Sequence, residues 1–293
     1  MQLTDLDHRP LIVAAVTPLT SGGADVDLAA IPPYARFLAD HGADGVFACG
    51  TTGEGVLLRT DERRAAAEAY RDAVEGVLVV HAGAQTTAET VALATHARDI
   101  GADAVAVIPP PYYPLDPESL TAHFVAAARA ASPLPFYCYA FTARSGYPLP
   151  VEVIRRIGAS VDNLAGLKVS ESPFEKVAPY LDLGLPVLIG SEPLLTAGIA
   201  GGAIGTVSGM AAAFPDVVRP AVDAADDDAA IRMARLRASL ESSGHFIAAL
   251  KHVLGMRGLP VGPDLRAPMR SLTADEVGAL EVAIAAFLEP SAV

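Results

Sequence analysis

The sequence predicts an α/β protein built as a (β/α)8 TIM barrel with a C-terminal helical extension. Three observations lead there. Short apolar runs recur along the first 210 residues, helical patterns lie between them, and no nucleotide-binding glycine signature follows the first run.

The runs occupy residues 11–16, 45–49, 77–80, 104–108, 135–139, 165–169, 187–189 and 204–207. They are apolar on both faces, as strands of a parallel sheet covered on both sides are. Between them, residues 28–40, 61–74, 87–100, 118–131 and 151–157 carry helical patterns. Thr60 is placed to cap the helix that begins at Asp61, and Gly42 and Gly101 stand where helices stop. Eight strands alternating with helices leave a closed barrel or an open doubly wound sheet. An open nucleotide-binding sheet should show GxGxxG or a Walker loop after its first strand. Here Val16 is followed by Thr17-Pro18-Leu19-Thr20-Ser21-Gly22-Gly23, which is neither. Beyond Met210 the pattern is helical, over residues 215–224, 229–254 and 274–288. Residues 1–210 are therefore expected to hold the barrel strands and helices. Residues 211–293 are expected to supply the last barrel helix and the extension, in the same single domain.

Composition removes several function classes. Of the 293 residues 52% are apolar and 19% charged, and mean hydropathy is +0.36, which suits a large core and not a disordered chain. A formal charge of −13 argues against nucleic acid as a partner, because phosphate binding needs a basic face. No long apolar stretch suggests a membrane span. The opening MQLTDLDHRP is acidic and polar where a signal peptide would be basic and then apolar, so a cytoplasmic location is expected. Cys49 and Cys138 lie in apolar runs and are expected to be packing thiols.

In a barrel, chemistry sits at the C-terminal ends of the strands. Lysine is scarce: the chain has 18 arginines but only Lys168, Lys176 and Lys251. Lys168 interrupts an apolar strand, where an unpaired ammonium is costly. Either it pairs with a carboxylate such as Glu54, or it is an amine with a lowered pKa, able to attack a carbonyl and form a Schiff base. Lys176 and Lys251 lie on helical patterns and are expected at the surface. Thr51 and Thr52, between Gly50 and Gly53, form a turn whose amides and hydroxyls could bind a small carboxylate. Tyr139 shares a strand face with Tyr137 and stands at the strand mouth, where a phenol can relay protons. A rival mechanism would set a divalent metal between His81 and Glu54. No HxH or HxxxH spacing supports it, so no metal site is expected.

Taken together these pieces resemble the dihydrodipicolinate synthase / N-acetylneuraminate lyase family of pyruvate-dependent class I aldolases. The resemblance runs over about residues 8 to 280: GTTGE at 50–54, PPYY at 110–113, Tyr139 with Arg144 five residues on, GLK at 166–168 and GS at 190–191. It implies a homotetramer (a dimer of dimers) or a homodimer, acting on small molecules without a cofactor. It assigns the Schiff base to Lys168, proton transfer to Tyr139, Thr51 and a Tyr113 reaching across a subunit interface, and the pyruvate pocket to Thr52, Gly190 and Val207. Arg144 falls where the synthases hold the carboxylate of aspartate semialdehyde. The reaction implied first is that of 4-hydroxy-tetrahydrodipicolinate synthase or a close paralogue, joining pyruvate to an aldehyde. One alternative is an aldolase, lyase or dehydratase for a 2-oxo-3-deoxy sugar acid or N-acetylneuraminate. Another, of a different class, is a non-catalytic regulator that binds pyruvate or a sugar acid. The sequence departs from the family at Ala140-Phe141-Thr142, where Asn-x-Pro is usual, and at Gly55, where Ser is common. These departures bear on the second substrate.

Overall fold

A computed structural model of the chain describes residue 3, residues 6–242 and residues 244–288. The extreme ends of the two expected stretches, and residue 243 inside the expected helix 229–254, lie outside the described residues. Eight parallel strands close into a barrel in chain order: β1 (Leu11–Ala14), β2 (Gly45–Ala48), β3 (Val77–His81), β4 (Ala104–Val107), β5 (Phe136–Ala140), β6 (Leu164–Val169), β7 (Val187–Ile189) and β8 (Gly205–Ser208). The ring closes where Ile12 of β1 pairs with Val207 of β8. All eight apolar runs are strands, shifted by at most a few residues.

Side-chain alternation splits each strand between two cores. Ile12, Phe47, Val79, Ala106, Tyr137, Tyr139, Leu188 and Val207 pack inside the barrel. Val13, Val46, Leu78, Val105, Leu167 and Val169 face outward into a larger core shared with the helices. Both faces are thus dry, which is why the strands are apolar throughout. Truncating a packed inner residue such as Leu188 to alanine should cost about 2–5 kcal/mol.

The helices are α1 (Ile31–Asp40), α2 (Thr60–Ala73), α3 (Thr87–Asp99), α4 (Pro117–Ala131), α5 (Thr142–Ser145), α6 (Val151–Gly158), α7 (Ala178–Leu181), α8 (Leu195–Ala200), α9 (Pro215–Ala224), α10 (Asp227–Glu241), α11 (Phe246–Met256) and α12 (Ala274–Leu288). Gly42 and Gly101 follow α1 and α3 in left-handed backbone, as helix stops do. Thr60 is not a cap. It is the first residue of α2, its hydroxyl donates to Glu89 Oε1 at 2.6 Å, and the preceding Arg59 amide donates to Glu62. The expected helix 229–254 is two helices, because Gly244 takes φ +72° and turns the chain between α10 and α11. Residues 257–273 are not helical either. They carry Leu265 and Met269 to the mouth of the barrel. Among the described residues no helix is long and apolar enough to cross a membrane.

Candidate active site

A cavity of about 680 Å³ opens at the C-terminal ends of the strands. Lys168 rises into it from β6, beside Tyr139 of β5 in the strand register. The strand alternation that turns Leu167 and Val169 outward turns Lys168 inward, together with Gly166 and Ser170. Its side chain is buried, with Nζ 4.1 Å from the ring centroids of both Phe47 and Tyr139. The rings and the Glu192 carboxylate favour an ammonium, but loss of water outweighs them and lowers the pKa from 10.5 to about 7. A large part of the amine is therefore neutral near pH 7. Glu54 does not pair with it.

Tyr139 is buried, and its hydroxyl lies 3.3 Å from Thr51 Oγ1. Burial raises its pKa, against the opposing hydrogen bonds to Thr51 and Ser170, so the phenol keeps its proton. Thr51 and Thr52 sit in the turn after β2 and both line the cavity. Two left-handed residues other than glycine, Cys49 (φ +58°) and Glu54 (φ +56°), flank this turn, each at a cost of about 1–3 kcal/mol. Gly55 lets it fold back: a Cβ there would lie 1.9 Å from the Cys49 carbonyl oxygen. The Thr17 hydroxyl pins it from β1's side by donating to Gly53 O at 2.7 Å.

Gly190, after β7, spends its amide on Val169 O at 2.7 Å. What it gives the cavity is the missing side chain, since a Cβ would lie 2.0 Å from Ser170 Oγ and 3.3 Å from Lys168 Cε. Val207 closes the floor from β8. Arg144 reaches the cavity from α5, its guanidinium carbon 5.7 Å from the Phe141 ring centroid. Among the described residues it forms no ion pair with a carboxylate. Its helix is held instead by the buried Glu171, which accepts from the Thr142 amide (2.8 Å) and hydroxyl (2.9 Å).

Tyr113 is not brought to the cavity of its own chain. It is 72% exposed and packs edge to face on the equally exposed Tyr112. His81 is buried and neutral, its pKa driven well below the ordinary value by desolvation, with Nδ1 3.1 Å from Cys49 O. The Glu54 oxygens meet Lys251 Nζ and the Arg266 amide instead. Among the described residues no group of three or more His, Cys, Asp or Glu is assembled to hold a metal.

Lys176 is exposed as expected, but Lys251 is fully buried, with Nζ 2.6 Å from Glu54 Oε1. A signal was present: Lys251 lies in FIAALKHVLGM, with Ala248 and Leu254 three residues to either side on the same helix face. The sequence places Glu192 after the seventh strand but assigns it no partner. Buried Glu192 accepts from Ser208 Oγ and the Met210 amide, and Arg237 bridges it to Glu241 while stacking on Phe246.

The arrangement can present a neutral amine, an adjacent phenol–hydroxyl pair and an anion-binding guanidinium to one small carbonyl compound. The family model described as "Dihydrodipicolinate synthetase family" matches residues 7–287. An uncharacterized DapA-like lyase of Halobacterium salinarum is 38% identical over 291 residues, covering 94% of each chain. A 4-hydroxy-tetrahydrodipicolinate synthase of Synechococcus sp. is 33% identical over 288 residues, again covering 94% of each. Among solved structures, the Proteus mirabilis N-acetylneuraminate lyase superposes with a TM-score of 0.87 at 28% identity, covering 96% of this chain and 99% of that one. On these grounds the chain belongs to the dihydrodipicolinate synthetase family and is one of its lyases.

Proposed function

We propose that the protein joins pyruvate to an aldehyde that carries an acidic group, through an imine on Lys168. The observation that carries this is a buried lysine in the cavity at the strand ends, in contact with Tyr139, where loss of water lowers its pKa from the usual 10.5 to about 7. The neutral amine adds to C2 of pyruvate, and loss of water gives the imine. The imine draws electrons from C3, a C3 proton leaves through Tyr139 and Thr51, and the resulting enamine attacks the aldehyde carbon. Hydrolysis then frees Lys168 and releases the new 2-oxo acid. Thr52 and the amides of its turn cradle the pyruvate carboxylate, and Gly190 and Val207 leave room for its methyl end. A second copy of the chain contributes Tyr113 to the relay. The reaction draws on no metal or cofactor.

Arg144 ranks the acceptors. It lines the cavity without a carboxylate partner among the described residues, which suits the acidic group of aspartate semialdehyde and the activity of a 4-hydroxy-tetrahydrodipicolinate synthase or close paralogue. A second reading, cleavage of a 2-oxo-3-deoxy sugar acid, draws on the hydroxyls of Ser170, Ser172 and Ser191 beside Glu192. Borohydride reduction in the presence of pyruvate tests the core of the proposal. It should add a reduced pyruvyl group to Lys168, and Lys168→Ala should fold without turnover. An adduct on Lys176 or Lys251 instead would overturn it.

A further inference from the structure

Lys251 has no part in the chemistry above and does not line the cavity, yet α11 buries its ammonium completely against Glu54 Oε1 at 2.6 Å and Asp264 O at 2.8 Å. The second Glu54 oxygen accepts from the Arg266 amide at 2.7 Å, and the Arg266 guanidinium reaches Glu62 of α2 at 2.6 Å. One carboxylate thus ties the Thr51–Thr52 turn to α11 and to the non-helical segment after it, while Arg266 extends the tie to α2. A buried ion pair adds little net stability, because desolvation offsets most of the attraction. Its directional effect remains. It fixes Glu54 in left-handed backbone, three residues after Thr51. The Thr51–Tyr139 contact is already long at 3.3 Å, so a small rotation of the turn breaks it.

We propose that Lys251, acting through Glu54, is a positioning residue that holds the Thr51–Thr52 turn in register with Tyr139 for proton transfer at C3 of bound pyruvate. The proposal rests on the imine chemistry assigned to Lys168, and two readouts separate the two claims. Borohydride trapping with pyruvate reports the imine. Deuterium uptake at pyruvate C3 in D2O, followed by NMR without any acceptor, reports removal and return of the proton. Lys251→Met should still trap pyruvate on Lys168 but exchange C3 protons at least tenfold more slowly per imine. Glu54→Gln offers one acceptor oxygen where two are used and turns an NH2 toward a donor, so it should slow exchange per imine as Lys251→Met does. Should Lys251→Met fail to fold, Lys251→Met/Glu54→Gln leaves no lone buried charge and should show the same slow exchange. Lys176→Met serves as the exposed control and should match the wild type. Normal exchange per imine in the folded Lys251 variants would overturn the positioning role alone. So would loss of trapping in step with exchange, which would make Lys251 a support for Lys168. No trapping in the wild type would overturn both claims.

Discussion

Lys168 and Arg144 line one cavity, and their surroundings suit them to the different roles proposed for them. Burial holds the Lys168 pKa near 7, and only the neutral amine attacks a carbonyl. The kcat/KM for pyruvate, which reports the free enzyme, should therefore fall about tenfold per pH unit below 7 and level off above it. Glu192 opposes this shift, so Glu192→Gln should move the midpoint to lower pH. A profile flat between pH 6 and 8 would contradict the assignment. Arg144 reaches the cavity from α5, just after β5. A bidentate guanidinium–carboxylate contact is worth about 1.5–3 kcal/mol, so Arg144→Ala should weaken the acceptor about 10- to 100-fold and pyruvate far less. Arg144→Lys should recover only part of the loss, because an ammonium lacks the planar fork. Steady-state kinetics with both substrates varied decide the matter, and equal losses would remove Arg144 from the acceptor site.

At the scale of elements, α3 and α4 carry a contact sensitive to acid. His123 of α4 is buried against α3, with Nδ1 2.9 Å from Thr87 Oγ1, and desolvation lowers its pKa to about 4. The unfolded chain takes up this proton near pH 6.5 and the folded chain only near 4. Stability contributed by neutral His123 is thus intact above pH 6.5 and is lost as pH falls from there toward 4, by about 3 kcal/mol in all. Thermal melts between pH 7 and 4.5 should show this decline. His123→Gln, which can keep a hydrogen bond to Thr87 and cannot titrate, should flatten it relative to the wild type. Identical slopes for the two proteins would place the acid sensitivity elsewhere, with buried His81 the next group to examine.

At the scale of the whole molecule, the proposed relay is incomplete within one chain. Tyr113 stands 72% exposed beside Tyr112, and Val56 after β2 is 65% exposed, so the rim that presents them is apolar and open. The proposed homotetramer or homodimer would cover this rim and bring Tyr113 to a neighbour's cavity. Specific activity should then fall on dilution in step with dissociation measured by sedimentation. Tyr113→Phe should keep the assembly and lower turnover. Full activity from a monomer would remove Tyr113 from the mechanism.

The sequence alone determined the strands and their apolar faces, because a strand buried on both sides must be apolar throughout. It also singled out Lys168, since an amine inside such a strand needs either a carboxylate partner or a reactive role, and the GTTGE turn, whose glycines announce a tight loop. It did not determine partners. Nothing local to Glu54 says that its carboxylate meets Lys251, 197 positions along the chain and on another helix, instead of Lys168 or His81. Likewise the spacing of Glu192 and Arg237 says nothing of the ion pair that joins β7's loop to α10 across the cavity wall. Periodicity misjudged Lys251 because a charged residue on an amphipathic helix is normally solvated. Only closure of the barrel, with the C-terminal extension laid across its rim, makes that helix face an interior. Residue types and local patterns set which groups are reactive; the long-range packing of the last third of the chain decides which of them meet.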